Sequence, residues 1–206
     1  MARPTETDDE HLLAAAGRVL LTEGPSEFTL AKAARAAGVS AATLIKRFGS
    51  KQALFLRLSQ QWVGSIDEVL DDAVAPYGSP LGRFRAAALH SYHDLDHPET
   101  ASKQLSTLAI DLQNDEMRDL LDVGWGTVRR HLARHAADAI AARELTGCPP
   151  PDQLARIVMG AMEGGCLAWS VAPAGSLIAR LGDDLDAMLS GWITAGTDNA
   201  ATRTRT

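Results

Sequence analysis

Residues 29–51, TLAKAARAAGVSAATLIKRFGSK, constrain the fold of the chain more than any other stretch. The runs on either side of Gly38 are rich in alanine, which has the highest helix propensity of all residues. Glycine adopts a positive φ at little cost, so Gly38 suits the end of a helix. Thr29 and Ser40 carry the hydroxyls that cap helix N-termini. The pattern predicts a helix-turn-helix followed by a further helix that starts at Lys51.

The charge of this region differs from the charge of the whole chain. Between residues 29 and 57 there are six basic residues and no acidic one, whereas the 206 residues together carry a net charge of −6. An acidic protein with one basic segment is expected to present one face to phosphates and to keep the rest of its surface clear of them. The six basic residues are Lys32, Arg35, Lys46, Arg47, Lys51 and Arg57.

The run AARAAGVSAATLIKRFGSKQALF, residues 33–55, resembles the tetracycline-repressor (TetR) family of bacterial transcription regulators. It is similar to the Ala-Gly-Val-Ser turn of that family, to its Thr-Leu-aromatic-x-x-Phe recognition helix and to its Ser-Lys start of the next helix. Two positions depart from the family pattern. Ala33 stands where a larger aliphatic residue is usual, and Ile45 replaces an aromatic residue that tends to touch DNA.

The second helix of the motif, residues 41–48, is the predicted recognition helix, whose first turn would meet base edges in the major groove of double-stranded DNA. Leu44 and Phe48 are four residues apart and should face inward. Phosphates are favoured at helix starts by free backbone amides, although capping alone also explains the hydroxyl residues there. The predicted DNA-binding residues are Thr29, Ser40, Ala41, Ala42, Thr43, Lys46, Arg47 and Lys51.

The rest of the chain is predicted to be all-α, with about nine helices in total. Apolar residues recur at helical spacing almost throughout, and no alternating run rich in Val, Ile and Tyr is present. The helix from Lys51 should continue to about Ala75, which is more than ~30 Å. We expect residues 1–57 to form the helix-turn-helix domain and residues 58–206 a helical effector-binding and dimerisation domain. The first six residues and the tail from Gly196 are predicted to be disordered.

Two further sites follow from helix phase combined with the TetR resemblance. Inward positions of the middle helices would line an effector pocket of mostly apolar character. The last two long helices would pair with their copies in a homodimer. The pocket candidates are Ile66, Tyr92, Leu105, Leu108, Trp125, Val128, Glu163, Cys166 and Trp169. The dimer candidates are Met162, Leu181, Leu185, Met188 and Trp192.

A metal site is imaginable in the segment HSYHDLDH. His90, His93 or Asp94, and His97 would share one face of a continuous helix, but Pro98 argues against such a helix, and a polar helix end is the preferred explanation of these residues. No phosphate loop, nucleophile elbow or catalytic dyad has a recognisable spacing. We therefore expect no enzymatic activity, no cofactor and no bound metal.

The cysteines and the absence of membrane segments indicate the cellular compartment in which the protein is expected. Cys148 and Cys166 form no CxxC pair, no secretory signal is present, and no apolar run is long enough to cross a bilayer. The sequence thus predicts a cytoplasmic protein with free thiols and no membrane association.

The leading functional hypothesis is a homodimeric regulator that binds a palindromic operator and is released by a small, mostly apolar ligand. Its action as a repressor is implied by the resemblance alone. One alternative is a DNA-binding dimer without any small-molecule effector. A less favoured alternative is a metal-dependent enzyme that uses the histidines.

Overall fold

The computed structural model describes residues 6–194, so the predicted disorder of residues 1–5 and of the tail from Gly196 lies outside the described range, while Glu6 begins the first helix. Nine α-helices occupy this range, which contains no β-strand beyond one isolated bridge between Leu145 and Ile193. The predicted all-α class and helix number are therefore confirmed. The helices are α1 (Glu6–Glu27), α2 (Leu30–Ala36), α3 (Ala41–Phe48), α4 (Lys51–Val74), α5 (Pro80–Leu89), α6 (Pro98–Asp111), α7 (Asp115–Ala141), α8 (Pro151–Val171) and α9 (Leu177–Leu189).

The chain folds into two compact units that are discontinuous in sequence. Among the described residues, the first comprises residues 6–65 and 97–124, and the second comprises residues 66–96 and 125–194. Helices α4 and α7 each contribute residues to both units. The functional division at residue 57 remains a prediction.

The first unit holds the helix-turn-helix in a small apolar core. Leu44 of α3 and Leu54 of α4 are 0 % exposed, and they share this core with Leu12, Leu13 and Phe28. Ala33, the small residue at a position where TetR proteins usually have a larger one, is also fully buried. Leu44 lies on the inward face of α3, and its burial in this core holds α3, the predicted recognition helix, in place.

The helix ends in this unit agree with the sequence. The Thr29 hydroxyl accepts a hydrogen bond from the Lys32 amide at 3.2 Å, and the Ser40 hydroxyl accepts one from the Thr43 amide at 3.1 Å. Gly38 has φ of +70°, as a tight turn between α2 and α3 requires.

Two predicted helix ends differ from the structure. The sequence predicts that the first helix ends at Gly24-Pro25, but helical backbone resumes after a kink at Gly24 (φ 80°) and continues to Glu27. The spacing of apolar residues after Pro80 predicts a helix to Leu95, but α5 ends at Leu89 and a tighter 3₁₀ helix follows from His90 to Leu95. The continuous helix that the metal hypothesis needs is therefore absent from this segment.

The second unit is held by close helix packing and by two carboxylates that cap helices from far along the chain. A Cβ atom at Gly165 of α8 would lie 2.6 Å from Cδ2 of Leu181 of α9, so any larger residue there would force the Leu181 side chain to shift. The Glu144 carboxylate accepts a hydrogen bond from the Leu81 amide at the start of α5, at 2.6 Å. The Asp96 carboxylate accepts one from the Leu177 amide at the start of α9, at 2.5 Å.

Candidate nucleic-acid interface and ligand site

Helix α3 presents a polar face to solvent. Ala42, Thr43, Lys46 and Arg47 are all exposed, while Leu44 between them is buried. The Ser40 and Thr43 hydroxyls lie 2.9 Å apart at the start of the helix. Ile45, at the position of the missing aromatic residue, is 51 % exposed and offers only an apolar surface. The face thus combines two cations with hydroxyl and methyl groups, which is the chemistry that contacts phosphates and base edges.

Arg47 is engaged by an acidic residue that sequence reasoning missed. Its Nη2 donates to Oδ2 of Asp9 at 2.9 Å, and its Nε donates to Oδ1 of the same carboxylate. Asp9 belongs to α1, 38 residues earlier in the chain. No local pattern indicates the pair, because only the packing of α1 against the helix-turn-helix brings the two side chains together.

Lys51 is predicted to contact phosphate, and its side chain also makes hydrogen bonds within the protein. Its ammonium donates to the carbonyl oxygens of Pro25 at 2.7 Å and Phe28 at 2.9 Å. It also lies 5.6 Å and 5.4 Å from the centroids of the Phe28 and Phe55 rings. The ammonium therefore joins the start of α4 to the end of α1 and to the segment that follows it, so Lys51 has a structural role besides any contact with DNA.

We expect Lys51→Ala to lower the free energy of unfolding by about 2 kcal/mol, since hydrogen bonds to a charged donor are worth roughly 1.5–3 kcal/mol. Urea unfolding measures this change. The matched control is Lys46→Ala, which removes an exposed lysine of α3 and should leave the midpoint unchanged. Equal midpoints for the two variants would contradict the internal role of Lys51.

The second unit contains a buried polar group at the proposed ligand site. The Tyr92 hydroxyl donates to Oε1 of Glu163 at 2.9 Å. Burial raises the pKa of the Glu163 carboxyl, and the hydrogen bond from Tyr92 opposes this shift only in part. Burial and the nearby Glu163 raise the pKa of the Cys166 thiol. Within the described residues, the buried Trp169 indole Nε1 has no hydrogen-bond acceptor.

The other predicted pocket residues are distributed over both units. Leu105 and Leu108 are partly buried on α6 in the first unit, whereas the remaining candidates belong to the second. Ile66 is buried on α4, and Trp125 and Val128 are partly buried on α7. A hydrogen bond joins Tyr92 and Glu163, and the latter shares α8 with Cys166 and Trp169. A common pocket for all nine residues stays a prediction.

Glu163 should make stability depend on pH. A carboxyl whose pKa is raised by folding stabilises the folded state while it is protonated, and this contribution is lost as the pH rises through the folded pKa. Glu163→Gln should therefore be more stable than the parent protein at pH 8 and differ little from it at pH 4. Urea midpoints across this range test the difference, with Glu68→Gln, an exposed residue of α4, as control. A difference in urea midpoint between Glu163→Gln and the parent that stays constant with pH would argue against this pH dependence.

The structure buries most of the predicted dimer residues inside the protomer. Met162, Leu181 and Leu185 are at most 1 % exposed, so a partner chain cannot contact their side chains. Met188 and Trp192 are partly buried. These three side chains therefore fill the core of their own unit, whereas the interface roles of Met188 and Trp192 stay predictions.

Another face of α8 is apolar and exposed. Ile157, Leu167 and Val171 are 39, 53 and 80 % exposed. Gly160 and Gly164 lie on the same face, and a Cβ atom at either glycine would meet nothing within 4 Å. We call Ile157, Gly160, Gly164, Leu167 and Val171 the α8 stripe. Exposed apolar patches of this kind mark interaction surfaces.

His90, His93 and His131 make contacts that do not require a metal. The His90 and His93 rings are 6.5 Å apart in an edge-on arrangement. His131 pairs with Asp67 through Nε2 at 2.7 Å, and Arg134 donates to its Nδ1 at 3.0 Å. Residues 6–194 contain no group of three or more His, Cys, Asp or Glu side chains placed to hold a metal ion.

The comparison with protein families bears on the first unit. Residues 12–58 match the family model described as bacterial regulatory proteins, tetR family. The chain carries the TetR-family domain. The matched range contains the whole helix-turn-helix, including every predicted DNA-binding residue. None of the curated proteins matches the chain.

Solved structures extend the likeness to the full chain at the level of fold. A TetR transcription regulator from Haloarcula marismortui superimposes with a TM-score of 0.76 at 13 % identity, over 92 % of this chain and all of that one. A regulator from Saccharomonospora viridis in complex with choline gives 0.76 at 15 % identity over the same shares. The Stenotrophomonas maltophilia repressor SmeT gives 0.65 at 21 % identity over 91 % of both chains. The chain thus has the TetR fold throughout its described length. In that range no helix is long and apolar enough to cross a membrane.

Proposed function

We propose that this protein is a homodimeric transcription regulator that binds a palindromic operator through α3 and is released from it by a small, mostly apolar ligand. The observation that carries the proposal is the exposed face of α3, where Thr43, Lys46 and Arg47 stand on a TetR-family domain of an otherwise acidic chain. Lys46 and Arg47 would contact phosphate or guanine, and Ala42 and Thr43 would contact thymine methyls.

The α8 stripe supports the dimer. A palindromic site needs two recognition helices related by a two-fold axis, so the protein requires a self-complementary surface. Small glycines at the centre of the stripe let a second helix approach, and Leu167 and Val171 supply apolar area that a partner would remove from water. The proposed occupant of the stripe is therefore the same helix of a second copy.

Ligand release would use α4, whose residues belong partly to the DNA-binding unit and partly to the unit that contains Glu163. A ligand lowers operator affinity only if it prefers the conformation that does not bind DNA. The partly buried Tyr92–Glu163 pair and the Trp169 indole give the proposed site hydrogen-bonding groups in apolar surroundings. Choline is bound to the Saccharomonospora viridis regulator, and SmeT is the repressor of a multidrug efflux pump, so small organic molecules are the ligands to try first.

Footprinting on the DNA that flanks the gene tests this proposal, with and without a panel of apolar and cationic compounds. We expect protection of a palindrome, and release by at least one compound. Protection that no compound disturbs would favour the dimer without an effector. No protection at low salt would contradict operator binding. Purified protein that retains metal and hydrolyses test substrates would favour the alternative of a metal-dependent enzyme.

A further inference from the structure

The ion pair between Asp9 and Arg47 lies on the surface that the proposed function assigns to DNA. Both oxygens of the carboxylate are used, one by Nε and the other by Nη2 of the guanidinium. The two side chains remain 23 % and 30 % exposed, so solvent and a ligand can reach them. Arg47 follows Lys46 on α3, one turn from Thr43.

A carboxylate and a phosphate present the same pair of oxygens to a guanidinium. Both bind an arginine side chain by two parallel hydrogen bonds, and one edge of the guanidinium serves only one such partner at a time. Asp9 therefore occupies the edge formed by Nε and Nη2 before DNA arrives. It also places a negative charge beside the phosphate backbone.

We propose that Asp9 competes with a DNA phosphate for Arg47 and thereby sets how tightly the protein holds DNA. The inference rests on the proposed DNA binding. Asp9 would keep the complex weak enough for release, because every encounter with DNA must first displace the carboxylate. Since exposed ion pairs are weak, the competition should reduce affinity by about five-fold and not abolish it.

The test compares Asp9→Asn with Glu10→Gln, which removes the same charge from the neighbouring, exposed position of α1. Each full-length variant is titrated onto a 30-base-pair random duplex by fluorescence anisotropy, over a series of salt concentrations. Asp9→Asn should bind about five-fold more tightly than the parent, and the slope of log K against log salt should steepen by roughly 0.9, as for one added phosphate contact. Glu10→Gln should change affinity by less than about two-fold.

A double-mutant comparison isolates the pair. In an Arg47→Ala background, Asp9→Asn should lose its advantage over Glu10→Gln, because no guanidinium remains to be released. Equal effects of the two single variants would overturn the inference and leave DNA binding intact. Weaker binding by Asp9→Asn would also overturn it, since Asp9 would then orient Arg47 for DNA. A parent protein that binds no duplex at low salt would refute the proposed function itself. Thermal unfolding of each variant excludes loss of fold as the cause.

Discussion

Leu167→Arg is expected to convert the protein to monomers and to weaken operator binding by at least about 100-fold, because linked binding to two half-sites is lost with the dimer. Leu167 lies in the middle of the α8 stripe and is 53 % exposed in the protomer, so the arginine disturbs no core packing. In a dimer, however, it would bury an unpaired charge at the interface. Sedimentation equilibrium and titration of a palindromic duplex measure the two effects.

The matched control is Ala137→Arg, which adds the same charge at an exposed position of α7 outside the α8 stripe. This variant should remain dimeric and keep its affinity for the operator. An intact Leu167→Arg dimer would remove the α8 stripe from the interface. Trp192 is a poorer probe, because its backbone is hydrogen-bonded to Leu189 and Thr146 and its side chain is partly buried in the protomer.

Leu44→Ala should lower the free energy of unfolding by about 3 kcal/mol, which is within the range for buried leucines. Leu44 is 0 % exposed and is the buried residue of α3, so its loss also frees the recognition helix from the core. DNA binding should fall together with stability. Urea unfolding and anisotropy titration measure both.

Ile45→Ala provides the comparison one residue away. Its side chain is 51 % exposed, so the variant should unfold within about 0.5 kcal/mol of the parent. Similar losses for both variants would mean that α3 is not held by the buried face described above.

Local features of the fold could be predicted from the sequence. The caps at Thr29 and Ser40 and the turn at Gly38 depend on residues within one helical turn, and the structure has them as expected. The change to a 3₁₀ helix at His90 was missed, because the residues beyond Leu89 remain compatible with a helix and only tertiary packing selects the tighter form.

The candidate sites were less predictable because they depend on contacts between distant residues. The apolar stripe of α9 indicates a buried face, but a sequence pattern is the same whether the face packs against its own chain or a copy. The engagement of Arg47 by Asp9, and of Lys51 by the Phe28 carbonyl, spans 38 and 23 residues. Basic residues near a helix-turn-helix therefore indicate where DNA binds. They do not show which of the cationic side chains already bind carboxylates or carbonyl groups of the protein itself.

The remote caps of α5 and α9 have a consequence for how the second unit opens. The amides of Leu81 and Leu177 are hydrogen-bonded to carboxylates 63 and 81 residues away. The first turn of a helix usually opens independently of the rest of the protein. These two amide protons, in contrast, exchange with solvent only when the carboxylate of Glu144 or Asp96 moves away. Their exchange should therefore be slow and should share one rate with the amides around those carboxylates, so that the unit opens as a single cooperative block.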